Sequence, residues 1–308
     1  MKIILNILFI LLVILSCVGP ESKEDTITGP KIYFNRYPTS NTVEVWCVSI
    51  DGKQEKRVST DGGIKSDYRV IPSPNGKFKI LSSYFESDPD LYIRVTGSQE
   101  KINLTKGIGI NSDPVFSHDG SMIVYKSKRN NNVDLYTMKL DGFRVKRLTT
   151  TDLIESNPKF SQDGQKIVYT THGEKSENDP LGLFDDNDSD YEIYLMDVNG
   201  NNQRNLTKRD GSDNFPEFSP DEIHIVFQSR RDGNEEIYIM DIDGSNVKRL
   251  THNGVDDIHP HFSPDGTKIV YQTQINKNRE IMIMDTNGDN KKRLTKNRID
   301  DWYPRFEI

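Results

Sequence analysis

A segment built around a Phe-Ser-x-Asp-Gly turn recurs along this chain and constrains its fold more than any other feature. PVFSHDGSMIVYKS, PKFSQDGQKIVYTT, PEFSPDEIHIVFQS and PHFSPDGTKIVYQT align without gaps, and VIPSPNGKFKILSS is a weaker copy. Counted from the first position, the copies and a last proline fall at Val70, Pro114, Pro158, Pro216, Pro260 and Pro304. The steps are 44, 44, 58, 44 and 44 residues, so one unit carries 14 additional residues. A fixed period of this length indicates one supersecondary unit repeated along the chain.

Each unit contains four short strand signals. The first surrounds the phenylalanine of the turn motif, the second is a run such as KIVYQT, the third a run such as EIYIMDI, and the fourth ends in RLT. Asp-Gly and Asn-Gly pairs between such runs favour tight antiparallel hairpins. Four antiparallel strands at a period near 44 are typical of a β-propeller blade, so the chain is predicted to be all-β.

The two ends of the chain predict how the propeller closes. Residues 31–60 supply second, third and fourth strands without a first, whereas the last residues, WYPRFEI, supply a first strand and then stop. Pairing the two ends completes one blade and predicts a closed, six-bladed ring over the 278 residues 31–308. The predicted blades cover about 31–60 with 302–308, then 67–105, 111–149, 155–207, 213–251 and 257–295.

The repeats resemble those of TolB, the periplasmic component of the Tol–Pal system. The resemblance rests on the FSPDG, IYxMDxDG and RLT motifs and covers essentially all of residues 31–308. It implies a non-catalytic binding or scaffolding module that holds a protein or peptide partner at the mouth of a central channel. TolB also has an α/β domain before its propeller, whereas here the propeller is expected to begin about 14 residues after Cys17, without that domain. Such repeats also occur as accessory domains of peptidases, but no hydrolase domain is expected here.

The N-terminus is predicted to be an export signal. Lys2 precedes a nearly unbroken apolar run, Ile3–Leu15, which is short for a membrane span and typical of a signal-peptide core. The letters ILSC that end at Cys17 resemble a bacterial lipobox. Residues 1–16 are therefore expected to be cleaved, Cys17 to be acylated, and residues 17–30 to form a flexible tether. An ordinary secretory signal with a chance cysteine is the alternative.

The rest of the composition narrows location and partners. Val18, in place of the Asp associated with inner-membrane retention, favours the outer membrane facing the periplasm. With Cys17 acylated, Cys47 has no partner for an intramolecular disulfide, and the apolar run VEVWCVSI predicts a buried thiol there. A formal net charge of −7 argues against nucleic-acid binding. A monomer is expected, with membrane contact through the lipid anchor alone.

Acidic residues precede the apolar pair of the third strand in every predicted blade, and Arg or Asn recurs near the end of the fourth. Because these strands run antiparallel, the two groups are expected to pair across the strands and to stabilise the blade rather than catalyse a reaction. The acids are Glu44, Asp90, Asp134, Glu192, Glu236 and Glu280, and the expected partners are Arg57, Asn103, Arg147, Asn205, Arg249 and Arg293.

Function is predicted where the repeats differ, at the residues that flank the repeat proline. First strands line the channel of a propeller, so these positions are expected at its rim and wall. Their mixture of charge, histidine and aromatic rings favours recognition of one specific partner. The predicted rim consists of Arg69, Asp113, Asn157, Phe215, His259 and Tyr303, and the residues after the proline are Ile71, Val115, Lys159, Glu217, His261 and Arg305.

A second set stands three positions before the proline and is acidic in five of six repeats: Asp67, Asn111, Glu155, Asp213, Asp257 and Asp301. One interpretation is that these side chains cap local turns through backbone amides. The other is that they circle the channel mouth and face a ligand, which predicts a basic segment or a cation as partner.

Two further features are candidates for metals. The 14-residue insertion contains Asp186, Asp188 and Asp190, whose alternating oxygens suit Ca²⁺, although an ordinary solvated acidic loop is the alternative. His259 and His261 resemble part of the histidine cluster of propeller lyases that act on pectic fragments, without an assignable third ligand. Beside the binding module, a glycan-active propeller enzyme and a purely structural envelope protein therefore stay open. No other cofactor is predicted.

Overall fold

The structure is a computed structural model that describes residues 27, 29–39, 42–62, 67–83, 89–98, 100–130, 132–140, 144–173, 190–208 and 211–306. All regular secondary structure in these ranges is β, which confirms the prediction of an all-β chain. Over the same ranges, we find no helix that is long and apolar enough to cross a bilayer.

Twenty-four strands follow one another in a repeating pattern of longer and shorter elements. The first half consists of β1 (Lys31–Thr39), β2 (Thr42–Ser49), β3 (Glu55–Gly62), β4 (Asp67–Pro72), β5 (Phe78–Ser83), β6 (Asp90–Val95), β7 (Ile102–Asn103), β8 (Ile110–Phe116), β9 (Met122–Arg129), β10 (Asn132–Lys139), β11 (Arg144–Arg147) and β12 (Ile154–Phe160). The second half consists of β13 (Lys166–His172), β14 (Glu192–Asp197), β15 (Arg204–Asn205), β16 (Asp213–Phe218), β17 (His224–Ser229), β18 (Glu236–Asp241), β19 (Lys248–Arg249), β20 (Asp257–Phe262), β21 (Lys268–Ile275), β22 (Asn278–Asp285), β23 (Lys292–Arg293) and β24 (Asp301–Phe306).

Within the described ranges the strands form four sheets of four strands and one sheet of eight. Three of the smaller sheets contain consecutive strands, β4–β7, β16–β19 and β20–β23. The larger sheet contains two such units, β8–β11 and β12–β15, joined by one parallel pair between Val133 and Ile154. The remaining sheet has the order β24-β1-β2-β3, so the predicted pairing of the two chain ends is present.

The turn motif forms a small hydrogen-bond network that closes each first hairpin. In the first full copy, Ser117 Oγ donates to Asp119 Oδ1 at 2.6 Å and accepts from the backbone N–H of Met122 at 3.0 Å. The same carboxylate accepts from the N–H of Ser121 at 3.0 Å. The Ser117 hydroxyl holds the pKa of Asp119 below its ordinary value. The Ser and Asp of the motif thus recur because each satisfies backbone groups that the tight turn leaves unpaired.

The third and fourth strands are tied by the charges that the sequence predicts. Arg147 Nη2 lies 2.8 Å from Asp134 Oδ2, and Asn103 Nδ2 donates to Asp90 Oδ2 at 2.8 Å. The threonine of the RLT motif adds a second link, since Thr149 Oγ1 accepts from the backbone N–H of Leu135 at 3.0 Å. The prediction is confirmed in all six repeats by the pairs Glu44–Arg57, Asp90–Asn103, Asp134–Arg147, Glu192–Asn205, Glu236–Arg249 and Glu280–Arg293.

The hydrophobic core lies between consecutive units rather than in one centre. Five buried clusters each join one four-stranded unit to the next. Each first-strand phenylalanine belongs to one of them, which confirms the prediction that this residue packs between neighbouring units. These residues are Phe116, Phe160, Phe218, Phe262 and Phe306. Cys47 is buried on β2, as its apolar surroundings predict.

One buried ion pair joins the two ends of the chain. Arg36 on β1 is 5% exposed and donates to both oxygens of Asp301 on β24, at 2.6 and 2.9 Å. Its remaining amine lies 2.5 Å from Glu55 Oε1. The bidentate geometry fixes the guanidinium in a plane, and the second carboxylate balances the arrangement.

Candidate functional site

The residue directly before the repeat proline interrupts each first strand. Proline has no N–H to donate, so the ladder with the second strand cannot continue through it. The pairing shifts register at this point, for example between Ile258 and His261. In the five repeats whose side chains are described here, the preceding residue adopts a left-handed backbone. The φ angles are 52° at Asp113, 49° at Asn157, 50° at Phe215, 53° at His259 and 56° at Tyr303.

This conformation costs Phe215 and Tyr303 more than the other three residues. Asn, Asp and His adopt it more often than other residues, whereas bulky side chains raise the free energy by about 1–2 kcal/mol. Strained backbone persists only where the surroundings hold it, and it is concentrated at ligand sites. Phe215 and Tyr303 therefore mark this position as a candidate site, with His259 between them.

Two buried glutamines hold the strained residues in place. The backbone N–H of His259 donates to Gln228 Oε1 at 3.0 Å, and that of Tyr303 donates to Gln272 Oε1 at 3.3 Å. Gln228 lies on β17 and Gln272 on β21, each in the preceding sheet. Neither glutamine is among the residues that the sequence pattern predicts to be functional. The available signal was a polar amide inside the apolar runs IVFQS and IVYQT, where burial requires a hydrogen-bond partner.

The three rings form a continuous surface that we call the aromatic wall: Phe215, His259 and Tyr303. The ring centroids of Phe215 and His259 are 4.4 Å apart at an edge-to-face angle of 88°, and those of His259 and Tyr303 are 4.5 Å apart. Trp302 extends the contact at 6.0 Å from Tyr303, and Tyr37 lies 6.5 Å beyond it. All five side chains are partly exposed, so the rings present apolar area to solvent.

The other described positions of the rim are polar. Asp113 Oδ2 lies 3.1 Å from Lys126 Nζ, and Asn157 Nδ2 donates to Asn214 Oδ1 at 2.9 Å. The side chain of Arg69, the sixth predicted rim residue, lies outside the described part of the chain. The rim therefore has an aromatic side, from β16, β20 and β24, and a polar side, from β8 and β12.

Two cavities follow one another behind the rim. The first has a volume of about 160 Å³ and is lined by the five described rim residues together with the residues after the repeat proline. The second has a volume of about 320 Å³ and is lined by first-strand phenylalanines and the turn motif. Val115, Lys159, Glu217 and His261 line both cavities, and we call these four residues the waist.

The predicted acidic ring does not face these cavities, and this expectation is corrected. Asn111, Glu155, Asp213, Asp257 and Asp301 are each at most 1% exposed. The left-handed residue and the register shift that follow them break the two-residue alternation of the strand. Positions three and one before the proline therefore do not share a face. The side chain of Asp67 lies outside the described residues.

Internal partners explain why this position is polar in the described repeats. Asp213 accepts two hydrogen bonds from Arg231 Nη2, both at 2.8 Å. Asn111 caps a turn by donating to the carbonyls of Ile108 and Gly109 at 3.0 and 2.9 Å. These contacts agree with the interpretation that the position caps turns and binds local groups. The structure therefore does not support an acidic channel mouth, and the reason for expecting a basic partner no longer holds.

Burial raises the carboxyl pKa most clearly at the positions where no arginine is bonded to the acid. Glu155 accepts hydrogen bonds from the hydroxyls of Thr149 and Thr151, and Asp257 accepts one from Asn253 Nδ2. Burial raises the pKa of Glu155 to about 7 and that of Asp257 to about 6. These shifts follow from the loss of hydration and belong to the packing between units.

The candidate metal ligands are not brought together by the described residues. Asp186 and Asp188 of the insertion lie outside them, and Asp190 is exposed. His259 belongs to the aromatic wall, whereas His261 Nδ1 lies 3.4 Å from Glu217 Oε1 at the waist. Among the described ranges, no three His, Cys, Asp or Glu side chains form a group that could hold a metal ion.

Comparison with known families places this geometry in context. A family model described as the TolB beta propeller domain matches residues 26–180 and 179–306, which together span nearly the whole chain. No curated protein matches the chain.

Several solved structures share the fold. TolB from Acinetobacter baumannii is 23% identical with a TM-score of 0.71, and the match covers 90% of this chain and 66% of that one. The chain thus spans just under two thirds of that protein. A putative TolB from Agrobacterium tumefaciens is 22% identical with a TM-score of 0.64, over 87% of this chain and 89% of that one. Oligogalacturonate lyase from Vibrio parahaemolyticus is 15% identical with a TM-score of 0.58, over 88% and 73%. At these identities the similarity shows the fold alone.

Proposed function

The chain belongs to the TolB β-propeller domain family, and from this premise we propose that it is an exported, non-catalytic binding module. Its four-stranded units form a closed ring of six blades, completed by the pairing of β24 with β1. The first cavity supports this ring, since residues of β4, β8, β12, β16, β20 and β24 all contribute to its lining. The partner is a protein or peptide segment that enters this cavity.

The aromatic wall is the observation that carries the proposal. Three partly exposed rings stand on a left-handed backbone beside a cavity, and none of them belongs to the five buried clusters between units. The left-handed backbone recurs in the described repeats with the proline, but only these three repeats place a ring there, with exposed apolar area that a ligand can use. Aromatic side chains of this kind dominate the energy of peptide and protein recognition.

The proposed location is the bacterial cell envelope, with Cys17 as a lipid anchor and the propeller as a monomer facing the periplasm. Residues 1–26 lie outside the described part, so the support is the N-terminal sequence itself. Labelling cells with a fatty acid and comparing the wild type with Cys17→Ala tests the anchor. We expect label in the wild type only, and label retained in the variant would contradict lipidation at this residue.

The binding proposal is tested by removing the wall without straining the backbone. Glycine adopts the left-handed conformation freely, so the double variant His259→Gly/Tyr303→Gly removes two rings at little backbone cost. Lys277→Gly is a matched control, because Lys277 is also left-handed, with φ 73°, but lies in an exposed turn and lines neither cavity. Each protein is used to capture partners from envelope extracts, and captured proteins are then purified for affinity measurement.

We expect the double variant to lose at least about 1.4 kcal/mol of binding free energy, a tenfold change in Kd, while the control binds like the wild type. Equal affinity of all three proteins would show that the wall is not the binding site. The rival function, a glycan-active enzyme, requires turnover. If the wild type cleaved polygalacturonate and His259→Ala or His261→Ala abolished cleavage, the non-catalytic assignment would fail.

A further inference from the structure

A cluster of positive side chains lies beside the aromatic wall, at the end of the sheets where β24 begins. Lys277 lies in the turn between β21 and β22 and Arg279 at the start of β22, while Lys296 and Arg298 lie between β23 and β24. We call these four residues the basic patch. The formal net charge of the chain is −7, so the patch reverses the overall charge locally.

Two hydrogen bonds hold the segments of the patch together. Asn278 Nδ2 donates to the carbonyl of Asn297 at 3.3 Å, and the backbone N–H of Arg279 donates to Asp300 Oδ1 at 2.8 Å. The residues on either side of Asn278, and those on either side of Asn297, are the four members of the patch. The first bond therefore gathers the four cations on one surface.

The four positive charges are not balanced by internal ion pairs. Lys277, Lys296 and Arg298 are exposed, and Arg279 is half-buried. Over the described ranges, no carboxylate forms an ion pair with any of them. Arg279 Nη1 is buried and, among the same residues, has no hydrogen-bond partner. These charges are thus left for a group outside the described structure.

The acids nearest to the patch in the chain are largely occupied. Glu280 and Asp301 are each 0% exposed, and they are bonded by Arg293 and Arg36 respectively. Asp300 is half-buried and accepts the backbone N–H named above. One partly accessible carboxylate therefore stands against four cations, and the patch keeps a net positive charge.

Trp302 joins the patch to the aromatic wall. Arg279 Cζ lies 5.5 Å from the centroid of the Trp302 ring, and that ring lies 6.0 Å from Tyr303 of the wall. A guanidinium above a ring is attracted to its face and still directs N–H groups toward acceptors in its own plane. A segment that leaves the first cavity over Trp302 consequently reaches the cations next.

The preceding unit, β16–β19, shows that the repeat does not require cations at these positions. Glu235 stands there at the place of Arg279, and Gly254 at the place of Arg298. Glu235 Oε1 instead pairs with Arg230 Nε at 3.0 Å. The basic patch is therefore a property of one side of the mouth and not of the fold.

We propose that the basic patch binds an acidic segment of the protein partner, beside the part of the mouth that β24 forms. This inference rests on the proposed function and names the chemistry of the partner: several Asp or Glu residues adjoin the part of the chain that occupies the first cavity. It replaces the basic segment expected from the sequence.

An anionic membrane is another source of negative charge, but the direction of β1 argues against it. β1 begins beside the end of β24, where Ile32 pairs with Phe306, and it reaches the beginning of β24 only where Arg36 pairs with Asp301. The chain that precedes β1 therefore joins the sheet at the end opposite to the patch. An anchor at Cys17, as proposed, is attached to that opposite end.

Blocked peptides test the charge preference directly. Trp-Gly-Gly-Glu-Glu-Glu is titrated into the purified protein by calorimetry, beside the same peptide with three Gln in place of Glu. We expect the Glu peptide to bind about tenfold more tightly at low salt. The difference should shrink at about 0.5 M salt, because salt screens exposed charges. The double variant Lys296→Glu/Arg298→Glu should abolish the preference.

Lys106→Glu/Lys208→Glu is the matched control. Both lysines are exposed and directly follow the last threonine of a fourth strand motif, as Lys296 does, but they belong to other units. The two double variants change the net charge equally. The control should therefore keep the preference for the Glu peptide to within about threefold, because the patch itself is intact.

The outcomes separate this inference from the proposed function. Equal binding of the two peptides, including no binding of either, would overturn the acidic-segment site. The proposed function fails independently, if the wall variant His259→Gly/Tyr303→Gly keeps its affinity. An equal loss in both Glu double variants would assign the attraction to overall charge and would also overturn the site.

Vesicles of phosphatidylglycerol test the membrane as the alternative. We expect no binding of the protein without its lipid anchor to these vesicles that depends on Lys296 and Arg298. If such binding occurred and the Glu peptide did not bind, the patch would be a membrane contact and the acidic segment would be overturned.

Discussion

Two positions of each repeat, three residues and one residue before the proline, have different roles. Three residues before the proline lies a buried polar group, such as Asp257, whose partners are all internal. One residue before it lies a left-handed residue, such as His259, whose side chain borders the cavity. The first position is nearly uniform along the chain, and the second differs in every described repeat. The propeller thus confines variation to a position whose side chain borders the cavity and lies outside the five buried clusters between units.

The buried position is acidic in most repeats, but its negative charge is balanced in different ways. Asp213 and Asp301 are each bonded by an arginine, whereas Glu155 and Asp257 depend on hydroxyl and amide donors. A buried carboxylate without a paired cation keeps its proton to higher pH. The repeat therefore contains both constitutive ion pairs and groups that respond to pH.

The largest expected effect is the loss of the ion pair between the chain ends. Arg36→Ala leaves Asp301 buried without its cation, and breaking such a pair costs about 3–5 kcal/mol of unfolding free energy. Urea denaturation followed by tryptophan fluorescence measures this difference. Arg57→Ala is the control, because the Arg57–Glu44 pair is half-exposed and should contribute below about 1 kcal/mol. Similar losses in the two variants would contradict the contrast between buried and exposed pairs.

The next largest effect is a pH dependence of the free energy of unfolding, and Glu155 is its source. Its pKa is about 7 in the folded chain against 4.5 in the reference state, so the stability it contributes is complete below about pH 4.5 and declines as the pH rises through 7. A shift of this size corresponds to about 3 kcal/mol. Glu155→Gln should remove that part of the decline, as measured by urea denaturation at pH 4.5 and 8. Parallel pH profiles for the variant and the wild type would refute the assignment.

The smallest change in stability is expected for substitutions at the rim. His259→Gly relieves a left-handed backbone while losing ring contacts at 4.4 and 4.5 Å, so the free energy of unfolding should change by less than about 1 kcal/mol. Lys277→Gly, which relieves strain without losing a ring, should stabilise the protein by up to about 1 kcal/mol. A loss above about 2 kcal/mol in His259→Gly would show that the wall supports the fold after all.

The repeat made most of the architecture predictable, because strand pattern, turn chemistry and period all agree. The internal pairs, such as Asp134 with Arg147, followed from antiparallel geometry alone. The orientation of Glu155 and its equivalents did not follow, since strict alternation was assumed across a bulge that the proline creates. The roles of Gln228 and Gln272 could not be predicted, because their hydrogen-bond partners lie in an adjacent sheet and nothing within one repeat reveals them.

The sheet that joins β24 to β1 has a consequence for the order of events during synthesis. Its inner strand, β24, is the last described strand, whereas β1, β2 and β3 are synthesised roughly 240 to 270 residues earlier. For the whole time between, Arg36 is without its carboxylate at Asp301, and the apolar residues of β1 are without Phe306. This sheet can be completed only after residues 301–306 have been synthesised, so the early strands must stay protected from aggregation until then.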